Sequence, residues 1–237
     1  MIRTIAFDAD DTLWPNERHF RSAEAFFRDL MSAYHDAEWI QERLFATEMR
    51  NLAHFGYGVK SFVLSMIETA IELSEGQIQG RDIQRLVDLG RDMLAHPVEP
   101  LPHVQAALAE LQSDYRLMLI TKGDLLDQRA KLARSGLDAY FPIVEVVPEK
   151  DVPTYRDIIQ RHGLAPETFL MVGNSVKSDI LPVLALGARA VHIPCPDTWI
   201  YEHVDDVDAT AFATLEHLGL LKAWLEKEAA PPQSAQN

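Results

Sequence analysis

From position 101 onward, short apolar runs at 116–120, 143–147, 169–172 and 188–193 alternate with stretches of helical spacing, and a further apolar run lies at 2–7. Runs this short, with few polar residues inside them, are what strands buried on both faces look like. Crossover helices cover both sides of a parallel sheet and leave no solvated face. The alternation therefore predicts an α/β fold, a doubly wound parallel sheet of Rossmann-like type.

The segment between the first two runs follows another rule. Phe20, Ala23, Phe26, Phe27, Leu30, Met31 and Tyr34 recur at helical spacing, as do Ile40 and Leu44, then Phe62, Met66, Ile67, Ala70 and Ile71. Such stripes are core before they are anything else. Gly56-Tyr57-Gly58 and Ser74-Glu75-Gly76 interrupt them, and Pro97, Pro100 and Pro102 mark the return to the alternating region. The expected organisation is an α/β core over 1–14 and 98–229, with an all-helical insertion over 15–97. Leu215, Leu218, Leu221, Trp224 and Leu225 predict a terminal helix, and the Pro- and Ser-containing 230–237 a disordered tail.

Asp8 and Asp10 stand where the first run ends. Ligands of open parallel sheets gather beyond the carboxyl ends of the strands, so two carboxylates on the same side of the chain there can reach one cleft. Such a pair can divide the labour of hydrolysis: one attacks as a nucleophile, the other gives and takes a proton. Asp11, next to them, reads as a loop or capping residue, and Thr12 as support for the turn.

Composition narrows the partners. The 237 residues carry 22 Lys and Arg against 36 Asp and Glu, a net charge of -14. That balance disfavours the nucleic acid backbone and favours a small anion held by a local positive site. No apolar stretch approaches the roughly 20 residues that cross a bilayer, and Met1 leads directly into the first run. A cytoplasmic protein with no membrane association is expected. Cys195 is the sole cysteine and cannot form an intrachain disulfide. Oligomeric state stays open.

Four short motifs in order give the chain a resemblance. Asp8, Asp10 and Thr12, then Thr121 within Leu119-Ile120-Thr121-Lys122-Gly123-Asp124, then Lys150, then Gly173-Asn174-Ser175-Val176-Lys177-Ser178-Asp179 resemble the haloacid dehalogenase superfamily. Most of its members are magnesium-dependent phosphohydrolases. The resemblance implies that Asp8 is the nucleophile, forming an aspartyl-phosphate, and that Asp10 is the general acid and base. It implies that Thr121 holds the nonreacting phosphoryl oxygens and that Lys150 offsets the negative charge. Lys122 and Lys177 are rivals for that charge, and Lys122 joins Thr121 and Lys150 as a phosphate-binding candidate. For Mg2+ it implies ligation by Asp179, by an Asp8 carboxylate oxygen and by the Asp10 backbone carbonyl. Asn174 departs from the acidic residue many relatives carry; acting from outside the coordination sphere, it implies a weaker metal site. The inserted helices resemble the mobile cap of relatives, with Arg50, His54, Tyr57 and Lys60 as candidates for substrate choice.

The reading is a phosphohydrolase of a small phosphorylated metabolite, with other classes weighed beside it. A 2-haloacid dehalogenase also uses the first Asp, but halide leaves without a proton, so that branch lacks the acid that Asp10 supplies. Phosphonate cleavage through a Schiff base on Lys60 meets the same objection. A noncatalytic phospho-accepting or metal-binding module would place its Asp on a later strand and would not insert so many helices.

Overall fold

The computed structural model describes residues 1–202, 204, 208 and 210–229; the expected tail at 230–237 lies outside them. Its centre is a parallel sheet of β1 (Thr4–Phe7), β2 (Arg116–Lys122), β3 (Ile143–Val147), β4 (Phe169–Gly173), β5 (Arg189–His192) and β6 (Ala213–Thr214), in the order β3-β2-β1-β4-β5-β6. β1 is central, with Thr4 in register with Arg116 on one side and Phe169 on the other. The chain builds outward to β3, then returns to lay β4 against the free side of β1. That reversal places the switch point of the sheet between β1 and β4, where Asp8 leaves one strand and Asn174 the other.

Period-two alternation divides the strand residues between two cores. Ile5, Phe7, Leu117, Leu119, Leu170 and Val172 pack on one face, with α5 (Val104–Leu111), Leu132 of α6 (Leu125–Ser135) and residues of α9 (Leu221–Ala229). Ala6, Met118, Ile120 and Met171 pack on the other, with Tyr155, Ile158 and Ile159 of α7 (Val152–Arg161) and Val183 of α8 (Leu181–Leu184). Both faces are covered, which is why the runs read as mostly apolar. Each fully buried Leu, Ile or Phe contributes roughly 1.5–3 kcal/mol.

Between β1 and β2 come α1 (Glu17–Met31), α2 (Ala37–Phe55), α3 (Val59–Leu73) and α4 (Gly80–Ala95). They enclose a hydrophobic cluster of their own around Phe27, Met31, Ile40, Leu44, Met66 and Leu86. Tyr34 and Ile71, counted with the core stripes from spacing, sit outside it at 39% and 48% exposed, Tyr34 in the turn beyond the end of α1 and Ile71 on an outer position of α3. Gly56 and Gly58 take φ of 68° and 113° in the turn between α2 and α3, a conformation in which a side chain would be strained. The two chain segments joining this layer to the sheet meet where Leu101 N–H donates to the Leu13 carbonyl at 2.8 Å.

Three boundaries differ from the sequence pattern. β2 runs on to Lys122, so Thr121 and Lys122 lie in the strand's last turn of pleat. The helical stretch between the runs at 169–172 and 188–193 begins as a π-helical turn, Val176–Ile180, before α8. β6 has only two residues, too few for a periodic signal.

Candidate active site

The motif residues of the site stand at or just beyond the carboxyl ends of strands. Asp8 continues β1, its N–H donating to the Val172 carbonyl at 2.9 Å. Its carboxylate is buried; Oδ2 accepts from the Thr12 hydroxyl at 2.9 Å and Oδ1 from the Lys150 ammonium. The same ammonium donates to Asp179 Oδ1 at 2.7 Å. Lys150, only 3% exposed, therefore bridges two buried carboxylates. Burial works against its charge, but Asp179 and Asp8 outweigh burial and raise its pKa. Burial also pushes the Asp8 carboxyl up, to about 7, against the pull of Lys150 and with Asp179 and Asp10 adding to the rise. Two carboxylates share one cation, so Asp8 is held short of counter-charge.

Asp179 reaches this position because the π turn returns it over β4. Its Oδ2 accepts from the Ser175 N–H at 3.0 Å, and its own N–H donates to the Ser175 carbonyl at 2.8 Å. The carboxylate lies against the backbone of Gly173, in space a Cβ there would occupy. Asn174 is buried beside Thr12: its N–H donates to the Thr12 hydroxyl at 3.1 Å, and its Oδ1 lies 3.2 Å from that oxygen. Thr12 has one hydroxyl proton to divide between Asp8 and Asn174. It thus couples the β1 and β4 loops, a larger part than turn support.

Asp10 turns the other way. Trp14 Nε1 donates to it at 2.7 Å, Gln128 Nε2 at 2.7 Å, and Lys131 Nζ to both oxygens at 3.0 Å. Gln128 and Lys131 lie three apart on α6, so one helix face carries both. The Asp10 backbone carbonyl accepts no hydrogen bond among the described residues. Asp11 caps: at φ 63° its carboxylate accepts from the N–H groups of Asn16 and Glu17 at the start of α1.

Thr121 is buried, and its hydroxyl makes only a 3.5 Å contact with the Lys122 carbonyl, which leaves it turned to the cavity. Lys122 lies 4.5 Å from the Tyr57 ring centroid and pairs with Glu202 and, at 3.4 Å, with Glu149. Glu202 also accepts from the hydroxyls of Ser175 and Ser178. Lys177 points away, to the Tyr201 carbonyl and ring. Of the four helical-layer candidates, Tyr57 alone lines the cavity, its hydroxyl donating to Glu149 at 2.6 Å. Lys60 pairs with Asp124, the N-cap of α6, at 2.9 Å. Arg50 pairs with Glu68 at 3.2 Å, and His54 stacks edge-on against Phe55. None of the three lines the cavity, although the Asp124 that holds Lys60 does.

These groups surround a cavity of about 170 Å³ between the sheet edge and the helical layer. Its wall includes Gln128, Lys131, Trp199, Glu202 and the α1 and α2 carboxylates Glu17, Glu24 and Glu48, none of them visible from motif spacing. Gln128 and Lys131 had one sequence signal, polar residues three apart on a helix that starts beside Thr121. The others had none.

A doubly wound parallel sheet with acidic groups and a buried lysine at its carboxyl edge defines a Rossmann-like α/β enzyme. The chain belongs to the haloacid dehalogenase-like hydrolase family, whose model matches residues 2–187. It is 43% identical to a haloacid dehalogenase-like family hydrolase from Xanthomonas campestris, with a TM-score of 0.85 over 95% of this chain and 91% of that one. It is 27% identical over 203 residues to N-acylneuraminate-9-phosphatase of Rattus norvegicus, covering 80% of this chain and 81% of that protein. It is likewise 27% identical over 204 residues to glyceraldehyde 3-phosphate phosphatase of Methanothermobacter thermautotrophicus, covering 81% and 85%. Among the described residues no helix is long and apolar enough to cross a membrane.

Proposed function

We propose that this chain is a magnesium-dependent phosphohydrolase of a small phosphorylated metabolite, with the layer α1 to α4 serving as a cap over the site. The observation that carries the reading is the Lys150 ammonium between Asp8 and Asp179, beside a second acid, Asp10, at the mouth of one cavity. The phosphatase activity of the curated relatives supports it.

The donor set suits magnesium. Asp8 and Asp179 bring carboxylate oxygens to one point, and the Asp10 carbonyl has no other partner among the described residues. No group of three or more His, Cys, Asp or Glu side chains forms a cage among those residues. Magnesium takes one or two carboxylates and keeps several waters, so a two-carboxylate set is in keeping with it. Ten carboxylate residues line the cavity against three lysines, which demands added positive charge before a phosphate can enter. When bound, the ion would neutralise phosphoryl oxygens and favour the ionised form of Asp8.

The chain's own residues supply the rest. Asp8 attacks phosphorus and the ester oxygen leaves, forming the aspartyl-phosphate; Thr12 orients the attacking carboxylate through Oδ2. Thr121 and Lys150 hold the phosphoryl oxygens. Asp10 gives its proton to the leaving oxygen, then takes one from the water that releases phosphate from Asp8. A carbon-halogen substrate would leave Asp10 without a task. The likeness to 2-haloacid dehalogenase from Pseudomonas syringae, 24% identical with a TM-score of 0.65, is one of fold.

The test is phosphate release from a panel of monoesters with magnesium, for the natural chain and Asp8→Asn. Loss of several orders of magnitude is expected, as for removal of a covalent nucleophile. Comparable turnover by a pure Asp8→Asn preparation would sink the mechanism.

A further inference from the structure

The phosphohydrolase reading leaves the alcohol half of the ester unassigned, and the cavity wall contributed by α1 and α2 bears on it. Glu17 is buried at 9% exposed, and its carboxylate accepts no hydrogen bond among the described residues; neither does that of Glu48. Glu24, beside them, accepts one bond, from Gln41 at 3.2 Å. Burial pushes Glu17 up to about 8, with Asp11, Glu24 and Glu48 adding and Arg21 opposing. Burial and Glu24 push Glu48 up to about 8 as well.

The opposite charges are already committed. The cavity's three lysines pair with Asp8 and Asp179, with Asp10, and with Glu202, and no arginine or histidine lines it among the described residues. Gln128, which also lines the cavity and is 4% exposed, spends both contacts of its Nε2 on Asp10 and the Lys122 carbonyl and leaves Oε1 buried without a partner. Unpaired buried acceptors cost folding energy, and they are found where a ligand completes them. Phe20 and Phe62 wall the same side, which keeps water out and strengthens any ion pair formed there.

We propose that the substrate is a phosphate monoester whose alcohol carries an amine, its ammonium received by Glu17 and Glu48. An alcohol bearing a carboxylate would bring no positive charge to offset the ionised forms of Glu17 and Glu48. A neutral polyol would donate hydrogen bonds to these groups but bring no counter-charge. The proposal rests on the phosphohydrolase reading and specifies its substrate class.

The experiment compares esters that differ in one group: 2-aminoethyl phosphate with 2-hydroxyethyl phosphate, glucosamine 6-phosphate with glucose 6-phosphate, and phosphoglycolate as the anionic case. In magnesium, kcat/KM for the amine member of at least one pair should exceed its hydroxyl partner by about tenfold or more, about 1.4 kcal/mol. Glu17→Gln and Glu48→Gln should each shrink that ratio, with the split seen in KM. Equal rates within both pairs, or a preference for phosphoglycolate, would overturn the amine assignment while phosphate release upheld the hydrolase. If none of the esters is hydrolysed, the phosphohydrolase reading fails on its own. Calorimetric binding of the same esters to the Asp8→Asn chain then decides the amine question: tighter binding of an amine member supports it, and equal binding refutes it.

Discussion

Lys131 holds both carboxylate oxygens of Asp10 at 3.0 Å from a position 121 residues further along the chain. Because Trp14 and Gln128 hold it too, Asp10 has a defined direction before any substrate arrives. In the proposed role of proton donor, Asp10 should matter in proportion to the basicity of the leaving oxygen.

Asp10→Asn should accordingly lower turnover of alkyl phosphates by about 10²–10⁴-fold and spare p-nitrophenyl phosphate, whose leaving group needs no proton. Lys131→Met should show the same dependence on leaving group with a smaller loss, about tenfold. Lys131 acts through Asp10 and does not touch the reacting atoms. A loss of equal size for both ester types in Lys131→Met would assign it to the fold or to phosphate binding instead.

Asn174 shares the Thr12 hydroxyl with Asp8 and sits at the proposed magnesium site. Asn174→Asp should reduce the magnesium concentration for half-maximal activity by about tenfold, since a further charge lies near a divalent ion. Without magnesium the same variant should melt lower, and added magnesium should restore it, because the ion binds only the folded state. An unchanged magnesium titration would refute this account of Asn174, and full activity in excess chelator would remove the metal from the mechanism.

The raised carboxyls of the cavity wall set a pH dependence of stability. Glu17 moves from 4.5 to about 8 on folding and Glu48 likewise, so the folded state binds their protons more tightly. Their contribution is complete below about 4.5 and is lost as pH rises through about 8. Asp11, raised by burial to about 6, works in the same direction. The urea midpoint should fall between pH 5 and pH 8.5, and less steeply for Glu17→Gln. Identical slopes for the two proteins would show that Glu17 is not carrying the effect.

Gly173→Ala tests the close approach of Asp179. A methyl group there would collide with the Asp179 carboxylate, so one of the two must move. Destabilisation of about 1–3 kcal/mol is expected, as for overpacking elsewhere in a core. Activity should fall further than stability accounts for, because Asp179 shares Lys150 with Asp8. Normal turnover by a folded Gly173→Ala protein would show that the position of Asp179 is not critical.

Much of this was readable from residue order. Apolar runs with helices between them specify a parallel sheet with both faces covered, and Asp8, Thr121, Lys150 and Asp179 each follow such a run. Burial on both faces and the crowding of strand ends at one edge are consequences of chain direction, so local pattern carries them. The glycine turn at Gly56 to Gly58 and the stripes of the helical layer were legible for the same reason.

What the sequence left open depends on which helix faces meet across the cavity. Lys60, Arg50 and His54 looked as eligible as Tyr57, yet Lys60 ends on Asp124 and Arg50 on Glu68 while Tyr57 reaches Glu149. Lys131 and Gln128 on Asp10, Glu202 on Lys122, and the unpaired carboxylates of Glu17 and Glu48 belong to no local motif. The sequence by itself determined that a parallel sheet forms and that its motif residues follow strands at one edge, because strand periodicity and chain direction act over a few residues. Only the tertiary structure decided which charges are paired and which remain free, because charge pairing depends on distance in space between residues that packing, and not spacing along the chain, brings together.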